Sequence, residues 1–121
     1  MWTYTAYVLG KMFKNYSELT FKDVSRFFLK DIWKEKIILH EGERELYEDL
    51  EYLERLGVLS LSEKEDTEKM IITVKDLEKL NGITKVVERS EGSGTLLDEY
   101  KRRIDRALNL YMNELKNLKT N

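Results

Sequence analysis

The chain has 121 residues, of which 41% are hydrophobic and 36% are charged, and its formal net charge is −2. This length suits one domain with one core, or one small domain with an appendage. The absence of cysteine excludes disulfides, thiolate catalysis and cysteine-based zinc sites. The single histidine leaves little from which to build a conventional zinc or Ser-His-Asp site.

No segment of the sequence is predicted to direct the chain into or across a membrane. No apolar run approaches the roughly 20 residues of a membrane span. The first residues carry no basic region ahead of their apolar stretch, so no secretory signal is predicted and we expect a cytoplasmic location. The absence of Gln, Cys and Pro beside so many charged residues favours a thermophilic source.

The charge is unevenly distributed along the chain. Residues 1–36 carry seven Lys/Arg and four Asp/Glu, a net +3. Residues 37–94 carry eight and fifteen, a net −7, and residues 95–121 carry six and four, a net +2. The middle of the chain is therefore an acidic block between two basic ones, which bears on any partner that these segments contact.

The first predicted element is a helix over residues 3–15. Tyr4, Val8 and Met12 recur at helical spacing and give this helix one apolar face. The residues that follow, 19–21, fit either a short strand or the lead-in to the next helix.

A second helix is predicted from Thr20 to about Ile32 or Trp33. Thr20 followed by Asp23 has the pattern of a capping box, which satisfies free N–H groups at a helix start. The predicted buried face of this helix consists of Val24, Phe27, Phe28 and Ile32. Its basic residues form a row at four-residue spacing, made of Lys22, Arg26 and Lys30. The connection over residues 34–40 fits an extra helical turn, a short strand or a longer corner.

Residues 41–74 read as a helix, a glycine stop and a hairpin. The helix carries one apolar stripe, made of Leu46, Leu50 and Leu53. Gly57 follows the stripe, where glycine favours a left-handed helix end. The β-prone runs 58–61 and 70–74 flank a loop that is entirely polar, which predicts two strands of a hairpin.

A helix that leads through residues 53–59 (LERLGVL) into a hairpin resembles the winged-helix DNA-binding family. The helix is the recognition helix in that family, and the hairpin is the wing. The resemblance implies an α+β, mostly helical fold, with a winged helix-turn-helix domain followed by a long C-terminal helix. It also implies the function of a small, archaeal-type transcription regulator. The residues that it places towards DNA are Arg44, Tyr47, Glu48 and Glu51 on the recognition helix, and Lys64 and Lys69 on the wing.

The chain after the hairpin is predicted to be mostly helical. Residues 75–81 form a short helix that ends at Gly82, and residues 83–89 fit either a helical extension or a strand. Residues 90–94 are Gly/Ser-rich and read as a linker. The predicted organisation is a winged-helix domain over 1–89, the linker, and a C-terminal dimerisation helix over 95–121.

An apolar stripe along the last helix predicts a homodimer. Its residues repeat at seven-residue spacing with two seam positions, and two further leucines widen the stripe. The expected interface is Leu97, Tyr100, Ile104, Ala107, Leu108, Tyr111, Leu115 and Leu118. The alternative is that this helix folds back over its own domain.

Two partners are compatible with the charge distribution. Duplex DNA would be held by positive charge around the third helix, while Arg44 is able to form two hydrogen bonds with guanine. The expected phosphate-binding residues are Lys22, Arg26, Lys30, Lys34 and Lys36, with Lys64 and Lys69 on the wing; Lys101, Arg102, Arg103 and Arg106 form another basic cluster. The acidic central block instead favours a winged-helix module that binds another protein and not DNA.

Catalytic and cofactor sites are not predicted. The carboxylates of the third helix are expected to form a solvated face rather than a metal or acid–base site. His40 is expected to be a partly exposed corner residue without a special role. Residues 91–95 lack the Gly-Lys-Ser/Thr ending of a phosphate-binding loop. We therefore expect no enzyme activity and no cofactor.

Overall fold

The computed structural model describes residues 2–89 and 96–119, with the side chains of the last helix described from residue 98 onward. The elements follow one another as helix α1 (Trp2–Met12), strand β1 (Glu18–Thr20), helix α2 (Phe21–Arg26), helix α3 (Glu43–Arg55), strands β2 (Leu59–Ser62) and β3 (Ile71–Val74), and helices α4 (Leu77–Arg89) and α5 (Leu96–Lys119). The fold is α+β and mostly helical, with a long C-terminal helix, as the sequence predicts. The predicted linker, 90–94, lies outside the described residues.

The second helical segment, residues 21–35, changes its winding twice. The predicted capping box begins it: the Thr20 side chain accepts from the Asp23 N–H, and the Asp23 carboxylate accepts from the Thr20 N–H, both at 3.0 Å. After α2 the chain forms a π-helical turn over Phe27–Asp31 and a 3₁₀ turn over Ile32–Glu35. Three alternatives were compatible with the sequence of the connection over residues 34–40. The structure has an extra helical turn there, followed by a corner.

The three strands form one antiparallel sheet in the order β1-β3-β2. Leu61 and Ser60 of β2 pair with Ile72 and Thr73 of β3, so the two strands form a hairpin. Strand β1 pairs with the other edge of β3. Leu19 and Thr20 therefore belong to a short strand, and Phe21 begins α2. The short strand is one of the two alternatives that the sequence allowed for residues 19–21.

Helix α3 joins the core and the hairpin. Its three leucines, Leu46, Leu50 and Leu53, are fully buried. Gly57 follows with a φ of +79°, which is the left-handed region that glycine adopts at little cost. This turn leads directly into Val58 and β2, so the glycine stop, the buried leucine stripe and the hairpin are confirmed.

Helix α4 includes residues 83–89, the helical alternative that the sequence left open, and is therefore longer than the short helix predicted over 75–81. Gly82 was expected to end a short helix, but α4 continues through it to Arg89. The reason is tertiary packing: Leu80, Thr84 and Val87 are buried and α4 packs against α1. Their burial outweighs the roughly 1 kcal/mol that a glycine costs within a helix.

Helix α5 lies against the rest of the chain. It packs on the π and 3₁₀ turns of the second helical segment. The Tyr111 ring lies 5.7 Å from that of Phe27, and the Tyr111 hydroxyl donates to the Asp23 carbonyl. The core is therefore shared between α1, the second helical segment, α3, the sheet, α4 and α5.

Candidate functional site

The outer side of α3 and the loop after β2 form an acidic face. We give this name to the exposed carboxylates of both segments: Glu43, Glu45, Glu48, Glu63, Glu65, Asp66 and Glu68. Glu43 and Glu68 line one groove with Lys22, at the start of α2. Residues 41–69 contain eleven Asp/Glu and four Lys/Arg, a net charge of −7. Polyanions are repelled by such a surface.

Arg44 and Lys64, two of the cations expected to face DNA, are each paired with a carboxylate on this side of the molecule. Arg44 is 92% exposed at its side chain, and its Nε donates to Glu48 at 3.2 Å. The Lys64 ammonium forms an ion pair with Glu54. The Tyr47 hydroxyl donates to the Lys64 carbonyl at 3.5 Å. Lys69, at the end of the loop, is exposed.

Glu54 fixes the base of the hairpin loop. Its carboxylate accepts from the Leu61 N–H at 3.0 Å as well as from Lys64. Burial raises the pKa of Glu54, but these two hydrogen bonds and the positive charge of Lys64 outweigh burial and lower the pKa overall. Lys64 is therefore held at the protein surface by a carboxylate rather than presented to a phosphate.

One basic residue of the second helical segment forms an ion pair, and the others are exposed to solvent. Arg26 lies 3.7 Å from Glu114 of α5, whereas Lys22, Lys30, Lys34 and Lys36 are exposed. Asp31 lies among these cations, yet its pKa is raised because burial outweighs their attraction.

A basic surface forms where α5 meets the end of the second helical segment. Glu35 links the two elements: its carboxylate accepts from Arg106 at 2.8 Å, and its carbonyl accepts from Arg103. We give the name basic surface to the six residues around this link: Trp33, Lys34, Lys36, Tyr100, Arg103 and Arg106. The sequence shows that Arg102, Arg103 and Arg106 are close together along the chain. It does not show that Arg103 and Arg106 lie beside Lys34 and Lys36, because that depends on how α5 folds back.

His40 is buried, and the prediction of a partly exposed corner residue is wrong. Its Nε2 lies 2.8 Å from Asp49 Oδ2 and 3.0 Å from Thr5 Oγ1, and its ring packs edge-on against Phe28 at 4.9 Å. The Thr5 hydroxyl also donates to Asp49 Oδ2 at 2.8 Å. The three side chains thus join α1, the corner and α3.

This triangle does not have the geometry of a catalytic triad. In a triad the two ring nitrogens contact different partners, whereas here Nε2 contacts both Asp49 and Thr5. The other nitrogen, Nδ1, is buried and has no hydrogen-bond partner. The arrangement therefore ties the corner before α3 to α1 and to the middle of α3.

A second polar network joins α1 to α5. The Tyr7 hydroxyl donates to Asp105 at 2.7 Å, and the buried Lys101 ammonium donates to the same carboxylate at 3.1 Å. Burial, together with the Asp105 carboxylate, raises the pKa of Tyr7. Lys101 thus serves the packing of α5 and is not part of the exposed arginine cluster.

Most residues of the expected dimer interface lie in the chain's own core. Ile104, Ala107, Leu108, Tyr111 and Leu115 are at most 5% exposed. Tyr100 and Leu118 are 43% and 50% exposed, and the side chain of Leu97 lies outside the described part. In this conformation the stripe packs within one chain, as in the fold-back alternative, and homodimerisation stays a prediction.

Within residues 2–89 and 96–119, no three His, Asp or Glu side chains are grouped so as to hold a metal ion. Across the same residues, no helix has the length and apolar character required to span a membrane. Comparison with protein-family models, curated proteins and solved structures gives no match to this chain.

Proposed function

We propose that this chain is a winged-helix module that binds another protein through its acidic face. The order of elements supports the winged-helix part of this proposal. A short strand between the first two helices pairs with a hairpin that directly follows the third helix, and the strand order is β1-β3-β2. In a winged helix, α3 and the loop of this hairpin form the binding surface.

The charge of that surface is the observation that carries the choice of partner. Binding to duplex DNA requires Lys or Arg side chains that neutralise phosphates. On α3 and the wing, Arg44 and Lys64 are each paired with a glutamate, and most of the other exposed residues are carboxylates. The fitting partner is a protein with a basic surface, because complementary charge favours association and suppresses wrong partners.

A charge-reversal capture experiment tests this proposal. The tagged chain is compared with Glu43→Lys/Glu65→Lys, which reverses two carboxylates of the acidic face. The control is Glu78→Lys/Glu99→Lys, which makes the same charge change at two exposed positions outside it. We expect a captured protein to be retained by the wild type and the control, and its affinity after purification to fall about tenfold or more in the first variant. Equal capture by all three proteins would contradict the proposal.

Duplex DNA binding by a transcription regulator is the second candidate function. The exposed lysines of the second helical segment, Lys22, Lys30 and Lys34, favour it. A mixed-sequence duplex titrated at low and moderate salt tests this candidate, since phosphate contacts make binding steeply salt-dependent. Lys30→Ala is expected to weaken all duplexes equally, and Arg44→Ala to reduce preference for one sequence. Absence of binding at low salt would leave only the protein partner.

A further inference from the structure

The basic surface combines positive charge with exposed aromatic rings. Trp33 is 40% exposed and Tyr100 is 43% exposed, although aromatic side chains of this size contribute most when they are buried. The guanidinium of Arg103 lies 5.7 Å from the centre of the Tyr100 ring, so an arginine and an aromatic ring are held together.

The positive charges of this surface are held by the fold. Arg103 and Arg106 both bond to Glu35, one to its carbonyl and one to its carboxylate. Lys34 and Lys36 are the chain neighbours of Glu35 on either side and are both exposed. Residues 30–36 and 99–106 together carry seven Lys/Arg and four Asp/Glu, a net +3. An anionic ligand would therefore meet cations from two elements at once.

We propose that the basic surface binds single-stranded nucleic acid. Lys34 and Lys36, which are both exposed, would contact phosphates, while the rings of Trp33 and Tyr100 would stack on unpaired bases. Bases of a duplex are already stacked and paired, so exposed rings add nothing to duplex binding. The exposed rings therefore favour a single strand over a duplex, whose bases are not free to stack on them.

This surface is separate from the acidic face. Lys22 lines the groove with Glu43, whereas Lys34 lies twelve residues further along the same helical segment, a rise of about 18 Å. The proposal therefore does not rest on the proposed function, and a protein partner on the acidic face would leave the basic surface open to solvent.

Fluorescence anisotropy with labelled oligonucleotides tests the proposal. The full chain is titrated into oligothymidylate of roughly 20 nucleotides, long enough to cover a surface of this size, and into a duplex of equal length. We expect the single strand to bind more tightly and its affinity to fall as salt is raised. The proposal is overturned if the duplex binds at least as tightly, or if neither binds at low salt.

Two matched pairs of variants assign the binding to this surface. Trp33→Leu should weaken single-strand binding about fivefold or more, and Trp33→Tyr should restore most of it, whereas Trp2→Leu at the other exposed tryptophan should have no effect.

Lys34→Glu/Lys36→Glu should weaken binding more than Lys69→Glu/Lys85→Glu, which makes the same change in net charge elsewhere. Thermal melting of every variant separates loss of binding from loss of fold. Equal losses in the variants and their controls would show that the contact is elsewhere.

Discussion

At the scale of single residues, the most consequential feature is the hydrogen-bonded triangle of Thr5, His40 and Asp49. Sequence reasoning missed it because the partners of His40 lie 35 and 9 positions away along the chain, so no local pattern joins them. The capping box at Thr20 was predictable for the opposite reason, since its two residues are three positions apart.

Acid should weaken the contribution of Asp49 to stability. Burial raises the pKa of Asp49, but the hydrogen bonds from His40 and Thr5 outweigh burial, so its pKa in the folded state is below its ordinary value. A lowered folded-state pKa stabilises the fold above the unfolded value of about 3.9, and that stabilisation is lost as pH falls through the folded value. We expect Asp49→Asn to cost about 1–3 kcal/mol at neutral pH and less near pH 3.

Chemical denaturation of the wild type and Asp49→Asn at both pH values measures this difference. Glu65→Gln removes a charge from the exposed loop and serves as the control, with little change expected at either pH. A cost for Asp49→Asn that stayed constant down to pH 3 would show that the carboxylate is not stabilised in the folded state.

At the scale of elements, the crossing of α1 and α4 depends on one glycine. A Cβ added at Gly10 would lie 2.3 Å from Thr84 Oγ1, which itself donates to the Leu80 carbonyl at 3.1 Å. The sequence indicated an apolar face on α1 but gave no indication that α4 crosses it here. Gly82, which the sequence predicts to be a helix end, has no neighbour within 4 Å of an added Cβ.

Two glycine-to-alanine variants should therefore have opposite effects. Gly10→Ala should destabilise the protein by about 1–3 kcal/mol, because α1 and α4 must separate to admit the methyl group. Gly82→Ala should stabilise it by up to about 1 kcal/mol, because alanine is the better helix former. Thermal melting compares the two, and Gly10→Ala/Thr84→Ala should recover part of the loss. A Gly10→Ala protein as stable as the wild type would mean that the helices are further apart.

At the scale of the whole molecule, α5 completes the core of its own chain. Sequence could not distinguish this from dimerisation, because one apolar stripe serves either purpose. The polar contacts that fix α5 join residues far apart along the chain: Tyr7 with Asp105 and Glu35 with Arg106. The existence and extent of α5 were predictable from its periodicity, whereas the surface that it covers was not.

Two substitutions on α5 distinguish a helix that packs on its own chain from a helix that forms a dimer. Ile104→Ala should lower the free energy of unfolding by about 2–5 kcal/mol at every protein concentration, because it removes a buried side chain from a single-chain core. Leu110→Ala, at a position on the same helix that is 67% exposed, should change it little. Sedimentation at moderate salt gives the oligomeric state. A melting temperature that rises with protein concentration would instead indicate a homodimer.

The unequal distribution of charge makes the protein an electric dipole, although its net charge is only −2. Lys22 beside the acidic face and Lys34 on the basic surface are separated by a helical rise on the order of 18 Å, which exceeds the Debye length of about 10 Å at 0.1 M salt but not the roughly 30 Å at 0.01 M. In dilute buffer each molecule should therefore attract the opposite end of its neighbour, most strongly near the isoelectric point of about 5.6. A solution that is clear in moderate salt, becomes turbid on dialysis against dilute buffer and clears again when salt is restored is the behaviour that this dipole predicts.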